Sequence, residues 1–571
     1  MYGKRILHGL LLLLLSVYNA PLLANESETS TTGQTEIIEH IGDGYIIYVD
    51  RMELNGDESL MDILMICPEF LSQDGKTILN NYGLFIDGLN INIDTEGFLY
   101  HTKARDITTI TIFSASVVMN GDDELEGEID ISFKDDAAAS QAVLMASTYG
   151  CAELYSDLTY HSKDRRFTLT GTVVGDLNYQ KLQSQNSHIA EHEAKDNIRL
   201  AAKWAMTERD SLQLILTQNF TYRRLRGTNA ESVIPNYYRN LSFIGAYLHD
   251  LNDEEASLYV ETNLKHSNSD GVNNNLNDTQ AAALLECYLP LLDNALGVTL
   301  GTEHNYTNSS LKGIHKEEML YNDLYVQVEL SLGRWQVALG DRFRMMTFWH
   351  KPYTTANQEQ MWNYSRCQNG LLASLECDLG KGHYLQGVFA QRYYTPRATT
   401  FARLNILNNK WWYDTSFKTM TAYVSELKYT YQRKNLMLMG TIENNNFKNV
   451  TEDLALRSMQ CINTSLWWHL GSLSLTLGAS YFHGYLGKEG HNNYLQMKVM
   501  PSVMLSRKTR LSSTLLYLGK DRLNEFTPNT YWNIRLSHSI SRYVNLFADY
   551  HDIAGQKTGN RSLIVGTNIR L

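Results

Sequence analysis

The sequence predicts a membrane β-barrel of about 22 antiparallel strands, all-β except for a small N-terminal α/β domain that plugs the lumen. Three observations support this prediction. The chain starts with an export signal, segments of about ten residues alternate apolar and polar from residue 139 onward, and the connections between them alternate short and long. A barrel that wide would leak unless its lumen were filled, so a plug is expected.

The composition fits an ordered barrel. Of the 571 residues, 43% are hydrophobic and 20% are charged, which excludes a disordered chain. The mean hydropathy of -0.32 is too polar for a bundle of membrane helices. A formal charge of -12 gives no reason to expect nucleic-acid binding.

Residues 1–24 are predicted to be a signal peptide. Lys4 and Arg5 form a basic start, an unbroken apolar run covers 10–15, and Ala24 is the expected last residue before cleavage. The run is too short for a spanning helix, although a retained helical anchor is the alternative. With no later apolar run of helix length, membrane insertion must use strands. The expected location is the outer membrane of a Gram-negative bacterium.

The mature chain divides into three predicted parts. Residues 25–43 are a polar, flexible leader, 44–135 form the α/β plug, and 136–571 form the barrel. In the plug, a helix begins at Ser59, with Asp62 at the capping-box spacing, and stops at Pro68. The expected plug strands are Tyr45–Val49, Tyr82–Ile86, Ile107–Phe113 and Gly127–Phe133.

Alternation assigns the two faces of the barrel wall. In Leu324–Leu332, the even positions are aliphatic and predicted to face lipid, while the odd positions are polar or aromatic. In the segment 211–222, Leu214 is assigned to lipid and Thr217 to the lumen. Inward charges at Glu426, Lys428, Glu443 and Arg535 either pair with the plug or line a solvated wall.

Connection lengths give the strand count. The predicted short turns are 162–165, 207–210, 251–254, 291–294, 331–334, 379–382, 432–435, 469–472, 506–510 and 540–542. The predicted long outer loops are 179–195, 224–238, 267–277, 307–316, 349–367, 396–418, 447–456, 486–491, 519–527 and 553–560. Short periplasmic turns and longer outer loops are typical of outer-membrane barrels. A soluble β-sandwich or propeller is the alternative, but no blade-like repeat is found.

Several segments resemble motifs of TonB-dependent outer-membrane receptors, in which an N-terminal plug fills a 22-strand barrel. Their order and spacing carry the resemblance, which covers nearly the whole mature chain. Glu58–Leu64 followed by Pro68 resembles "sLxDxLxxxPG", Tyr82–Gly88 "xxxIDG", Asp106–Ile112 "dIerIeV", Gly127–Lys134 "GvInIxtK", Gln391–Arg397 "sxxyrxPs" and Ser425–Tyr429 "xELGYxY". The chain departs from the pattern at Glu69, where the family usually has Gly.

The resemblance implies a receptor that binds a solute at the cell surface and imports it. An inner-membrane partner, the TonB-type energy coupler, would pull the plug. The candidate coupling box is Thr35, Glu36, Ile37, Ile38 and Glu39. The sequence does not identify the solute. The alternative on the same scaffold is a non-transporting adhesin or vestigial receptor.

Aromatic residues mark two outer loops as candidate ligand sites. Aromatic rings stack on sugars and flat ligands, but such clusters also form the upper interfacial girdle of a barrel. The first cluster is Trp349, Tyr353 and Trp362, and the second is Trp411, Trp412 and Tyr413.

One metal motif occurs, and no cofactor is indicated. His188 and His192 fit an HxxEH pattern, which holds zinc when both imidazoles share one helical turn. It falls in a predicted loop without a surrounding helical fold, so a solvated loop is favoured over metal binding or a barrel-borne metalloenzyme. The six cysteines are scattered along the chain, and their spacing does not indicate a zinc site. The expected protein is therefore not an enzyme.

Overall fold

We describe the protein from a computed structural model. The structure describes residues 37–41, 44–52, 54, 58–70, 78, 82–86, 89–90, 98–99, 102–113, 127–134, 141–147, 152–164, 166–178, 190–226, 233–251, 256–271, 274–292, 295–311, 315–352, 362–394, 402–405, 410–413, 420–433, 435–448, 457–485, 490–520, 529–541, 543–554 and 562–570. The predicted signal peptide and most of the predicted leader lie outside these residues. Within them, no helix has the length and apolarity needed to cross a membrane.

The N-terminal part contains a six-stranded sheet. Its strands are β1 (Ile38–Ile41), β2 (Gly44–Tyr48), β3 (Tyr82–Ile86), β4 (Leu89–Asn90), β5 (Ile107–Phe113) and β6 (Gly127–Phe133), in the spatial order β1-β2-β5-β6-β3-β4. The β3–β6 pair is parallel and the others are antiparallel. This is the predicted mixed α/β plug.

The plug helix α1 (Leu60–Leu64) begins as the sequence predicts. The Asp62 N–H donates to Ser59 Oγ at 3.2 Å, and the Ser59 N–H donates to Asp62 Oδ2 at 2.8 Å, which completes the capping box with Asp in place of Glu. The face shared by Leu60, Ile63 and Cys67 is fully buried. A 3-10 turn, Pro68–Phe70, follows the helix.

The barrel has the predicted 22 strands. They are β7 (Gln141–Ser147), β8 (Ala152–His161), β9 (Phe167–Asn178), β10 (Ala190–Ala205), β11 (Asp210–Arg226), β12 (Val233–Asp250), β13 (Ser257–Gly271), β14 (Asn274–Leu291), β15 (Leu296–Leu311), β16 (His315–Leu332), β17 (Trp335–Pro352), β18 (Trp362–Gly380), β19 (His383–Tyr394), β22 (Met420–Arg433), β23 (Leu436–Lys448), β24 (Ser458–Leu470), β25 (Leu473–Tyr485), β26 (His491–Ser506), β27 (Thr509–Leu518), β28 (Asn529–Ser539), β29 (Val544–Ala554) and β30 (Ser562–Arg570). Strand β30 pairs with β7 and closes the barrel. Between β19 and β22, the strands β20 (Ala402–Asn405) and β21 (Lys410–Tyr413) form a separate hairpin.

Side-chain exposure confirms the predicted faces. Leu324 is 56% exposed, whereas its neighbour Tyr325 is 4% exposed. On β11, Leu214 is 40% exposed and Thr217 is 1% exposed. Because a closed barrel satisfies its ladder hydrogen bonds internally, this apolar outer face can sit in lipid.

The ten predicted short turns each join two paired strands, as expected. Several predicted outer loops are wrong in extent, because the strands continue beyond the apolar segments. The predicted loop 267–277, for example, is largely strand: β13 runs to Gly271 and β14 starts at Asn274. Outside the bilayer a strand needs no apolar face to keep its backbone paired, so polar residues continue the ladder.

Candidate functional site at the plug and barrel wall

Gln432, a side chain of the barrel wall, contacts the described part of the candidate coupling box. Gln432 Oε1 accepts hydrogen bonds from the backbone N–H groups of Ile37 and Ile38 at 3.1 and 2.6 Å. Gln432 Nε2 donates to the Ile38 carbonyl at 2.8 Å. The carboxamide thus pairs with β1, the edge strand of the plug sheet, as a neighbouring strand would.

The described residues 37–41 of the predicted leader contact the plug sheet and the wall. Ile38–Ile41 forms β1, which pairs antiparallel with β2, and the side chains of Ile37 and Ile38 are buried. Burial of the two isoleucines and pairing of their backbone favour order at residues 37–41, which lie within the predicted flexible leader 25–43. Glu39 remains exposed and accepts a hydrogen bond from Tyr48 Oη. Thr35 and Glu36 lie outside the described residues.

An ion pair joins the plug to the same barrel strand, four residues before Gln432. Lys428 Nζ on β22 lies 2.6 Å from Glu69 Oε1 on the plug, and the Lys428 side chain is 1% exposed. Lys428 stands at the Gly position of the "xELGYxY" motif, just as Glu69 stands at the Gly of "PG". Two departures from the resembled motifs therefore contact each other.

Tyr45 completes this cluster. Its hydroxyl donates to Glu69 Oε2 at 2.9 Å, and Lys428 Nζ lies 4.4 Å from the centre of its ring. Burial raises the pKa of Tyr45, and the nearby Cys67 and Glu69 raise it further. The phenol therefore stays protonated and keeps its role as a donor to Glu69. We call Ile37, Ile38, Tyr45, Glu69, Lys428 and Gln432 the β22 latch.

A second polar contact anchors the start of α1. Arg510 Nη1 on β27 donates to Asp62 Oδ2 at 3.4 Å, and Arg510 Nε donates to Ser502 Oγ at 2.6 Å. Burial alone would raise the pKa of Asp62, but the Arg510 charge and the hydrogen bonds from Ser59 outweigh it, and the pKa is lowered. The carboxylate that caps the helix is thus kept ionised by the barrel wall.

Apolar contacts join the plug core to the wall as well. One continuous buried cluster contains plug residues such as Leu60 and Ile110 together with Met439, Trp467 and Phe547 of the barrel. Inward apolar side chains on the wall are consistent with lasting contact with the plug rather than with water.

Of the four inward charges noted in the sequence, Lys428 pairs with the plug. Glu426 lies beside it, with Oε1 3.5 Å from Lys428 Nζ. Arg535 pairs instead within the wall, with Nε 3.6 Å from Asp549 Oδ1. Glu443 accepts a hydrogen bond from Asn445, also within the wall.

A buried charge cluster on β15–β17 was not identified from the sequence. Arg342 Nε lies 2.6 Å from Asp323 Oδ2, and Arg344 Nη2 lies 2.7 Å from the same oxygen. Arg342 also contacts Glu303, and the Arg344 guanidinium lies 4.0 Å from the ring centre of Tyr321. A sequence pattern could have predicted this cluster. Two arginines stand two residues apart on the inward face of β17, and acidic residues stand on the inward faces of the two preceding strands, β16 and β15.

The described members of the two predicted aromatic clusters lie on different elements of the fold. Trp349 lies near the outer end of β17, opposite Glu318 and Asn363 in the strand register, while Trp362 starts β18 opposite His350. Trp411, Trp412 and Tyr413 belong to β21, in the hairpin with β20. Tyr353 lies outside the described residues.

The HxxEH motif needs a helical turn, but its described histidine, His192, lies in a strand. His192 lies in β10, opposite Arg224 in register, and β10 begins at Ala190. In a strand, residues four apart are separated by roughly 13 Å rather than sharing one turn. His188 lies outside the described residues. Across those that are described, no group of three or more His, Cys, Asp or Glu is placed to hold a metal ion.

The contacts described above determine how firmly the plug is held against the wall. Among the described residues, polar contacts between the plug and the wall converge on β22 next to β1, and another joins Asp62 to Arg510. Each of these contacts is a reversible noncovalent bond.

No family model matches the chain, and no curated protein matches it by sequence. Solved structures do. The copper transporter OprC matches with a TM-score of 0.68 at 10% identity, covering 96% of this chain and 100% of that one. The siderophore receptor PirA from Pseudomonas aeruginosa matches at 0.67 and 10%, covering 93% and 100%.

The alcaligin outer-membrane receptor FauA from Bordetella pertussis matches with a TM-score of 0.63 at 10% identity, covering 95% of this chain and 96% of that one. At such identities the likeness shows the fold. The chain therefore shares its fold, a closed 22-strand barrel with an N-terminal mixed sheet, with these two receptors and this transporter.

Proposed function

We propose that this protein is an outer-membrane receptor that binds a solute at the cell surface and imports it by energy-coupled movement of the plug. Its partner would be a TonB-type energy coupler in the periplasm, which would engage residues 35–39 once Ile37 and Ile38 leave their buried positions at the wall. The protein would reside in the outer membrane of a Gram-negative bacterium and act as a transporter rather than an enzyme.

The observation that carries the proposal is the attachment of the candidate coupling box. Ile37 and Ile38 belong to the first described segment of the plug. Their backbone forms three hydrogen bonds with Gln432, two that Gln432 accepts and one that it donates. A segment that transmits force should have a small number of breakable bonds at the point where the force enters. The β22 latch has that character.

The solute class is suggested by the similar structures, which include a copper transporter and siderophore receptors. We propose a metal ion or a metal complex as the solute. The aromatic residues Trp349, Tyr353, Trp362, Trp411, Trp412 and Tyr413 are proposed as part of the outer surface that contacts it, since flat rings stack on aromatic chelators.

Two measurements on the full-length protein test this function. The first is binding of the purified receptor to the purified periplasmic domain of the energy coupler, with and without residues 25–39. The second is uptake of radiolabelled copper and of a panel of radiolabelled iron–siderophore complexes by cells that carry either form. Loss of coupler binding and of uptake, with surface binding retained, supports the proposal.

Unchanged uptake by the shortened chain would refute energy coupling and favour a passive channel. If no member of the panel binds or enters cells carrying the full chain, the metal-solute proposal fails. Binding at the surface without uptake in the intact chain would favour the adhesin or vestigial receptor instead.

A further inference from the structure

The outer face of the barrel carries an acidic residue at mid-depth in the lipid-facing band. Asp341 on β17 alternates with the buried, inward Arg342 and Arg344, and it points the same way as the exposed Leu339 and Met345. It lies between Trp335, at the periplasmic end of β17, and Trp349, near the outer end. Tryptophans at such positions mark the two interfaces of the bilayer.

A carboxylate in this band needs hydrogen-bond donors, because lipid supplies none. Among the described residues, Asp341 has one hydrogen-bond partner: Asn369 Nδ2 donates to Asp341 Oδ1 at 3.4 Å. Asn369 also faces outward, beside the exposed Leu371. A carboxylate can accept about four hydrogen bonds, so most of its capacity is unused within the described part of the chain.

A second polar group lies on the same outer face, two strands away. His304 on β15 points outward with the exposed Leu300 and Tyr306. Its Nδ1 lies 2.6 Å from Asn322 Oδ1, and its Nε2 lies 3.4 Å from Thr302 Oγ1. The Asn322 amide oxygen can only accept, so Nδ1 donates to it. The contact at Nε2 is long, and Nε2 is the ring nitrogen that is left to donate to Asp341.

The strand register relates these two residues by symmetry about Leu324. Leu324 on β16 pairs with Thr302 on one side and Phe343 on the other. His304 lies two residues beyond Thr302 toward the outer end, and Asp341 lies two residues before Phe343 toward the periplasmic end. The two are therefore displaced equally and oppositely from Leu324.

Strand tilt brings them to nearly the same depth. His304 is eight residues from Leu296, where β15 starts, and Asp341 is six residues from Trp335, where β17 starts. With a rise of roughly 2.5 Å per residue along the membrane normal in tilted strands, their depths differ by about 5 Å. A two-fold axis along the membrane normal at Leu324 would place Asp341 of one copy opposite His304 of another.

We propose that the outer face of β15–β17 is the interface of a symmetric homodimer within the membrane. In this dimer Asp341 of each copy pairs with the other copy's His304, and Leu324 lies at the two-fold axis. A closed two-fold dimer uses the same patch on both copies, which fits a patch that carries an acid and its complement at symmetric positions. The proposal is independent of the solute and of energy coupling.

A charge-swap series tests the pairing. Within one chain, His304 and Asp341 are separated by two strands and four residues, roughly 16 Å, so they do not pair with each other. Asp341→His and His304→Asp should each weaken dimerisation in lipid nanodiscs, measured by native mass spectrometry, by about tenfold. The double variant re-forms both pairs between copies and should restore the dimer.

An axis cysteine tests the geometry without touching the charges. Leu324→Cys should form a disulfide-linked dimer on mild oxidation in native outer membranes, well above the wild-type background. The matched control is Leu214→Cys, an exposed leucine on β11, which should stay at background. Heat-modifiable migration on gels would verify that each variant folds.

Each measurement can overturn the proposal. A monomeric wild-type protein in nanodiscs does so, and so does a double swap that dimerises no better than the single variants. Equal cross-linking at Leu324→Cys and Leu214→Cys, or cross-linking of Leu324→Cys to a different protein only, rejects Leu324 as the axis of a homodimer.

Discussion

Glu69 of the plug and Lys428 of the barrel wall form a buried ion pair at 2.6 Å, and each occupies a position where the resembled motifs carry glycine. The two residues are 359 positions apart in the chain. A buried charge that loses its partner is costly, whereas two glycines at these places would need no compensation. Glu69 and Lys428 are therefore best treated as one paired departure of this chain from the receptor motifs that it resembles.

Removing only the cation of this ion pair should destabilise the protein more than removing both charges. Lys428→Met leaves the Glu69 carboxylate buried without its cation, and we expect a loss of about 3–5 kcal/mol in local stability. Adding Glu69→Gln removes the stranded charge and should recover much of that loss. Amide hydrogen exchange of β2 and α1 is measured for Lys428→Met, for Glu69→Gln and for the double variant. If the double variant loses as much protection as the sum of the single ones, the two residues act independently.

Gln432→Ala should loosen the first plug strand. Without the carboxamide, the Ile37 and Ile38 backbone groups lose three hydrogen bonds at an edge strand. A cysteine introduced by Ile38→Cys, at a buried position, should then react with maleimide several-fold faster. The matched control is Gln327→Ala, a buried glutamine on the inward face of β16 that donates to Glu329 instead. Equal labelling in the two backgrounds would show that Gln432 does not retain the strand.

The barrel was predictable from sequence because its determinants are local. Alternation places Leu324 outside and Tyr325 inside whatever the rest of the chain does. Polar residues such as those at 267–271 extend β13 for a different reason, since above the bilayer only backbone pairing matters. The β22 latch could not be predicted from the sequence, because the contact between Glu69 and Lys428 depends on how the plug packs against the wall. Lys428 could be identified only as an inward charge.

The lipid face can be tested on β11. Leu214→Arg places a cation on the exposed, lipid-facing side and should cost roughly 2–4 kcal/mol at mid-depth. The inward control is Gln213→Arg, because Gln213 is partly exposed on the lumen side whereas Thr217 is too tightly covered to accept an arginine. Urea titration of folding into lipid vesicles compares the two. Equal destabilisation would contradict the assigned faces.

Asp323 should be among the most sensitive positions of the wall. Asp323→Ala would leave the buried guanidinium groups of Arg342 and Arg344 without their shared carboxylate, for an expected loss of about 3–5 kcal/mol. Glu318→Gln is the comparison, since its pair with Lys316 is partly exposed to solvent and should contribute only about 0–1 kcal/mol. The temperature of the heat-modifiable band shift reports both. A similar shift for the two variants would mean that the cluster does not stabilise the barrel.

The last prediction concerns the plug as the seal of the pore. Deleting 25–135 removes the plug sheet and α1 and should leave a wide channel, because wall side chains cannot fill a barrel of 22 strands. Deleting only 25–39 removes two members of the β22 latch but keeps Glu69, Asp62 and the apolar contacts with Met439 and Trp467. That shorter deletion should keep the pore closed. Single-channel conductance in planar bilayers, with sensitivity of cells to bulky antibiotics, separates the two forms. A large open conductance in the short deletion would place the seal in the latch itself rather than in the packed plug core.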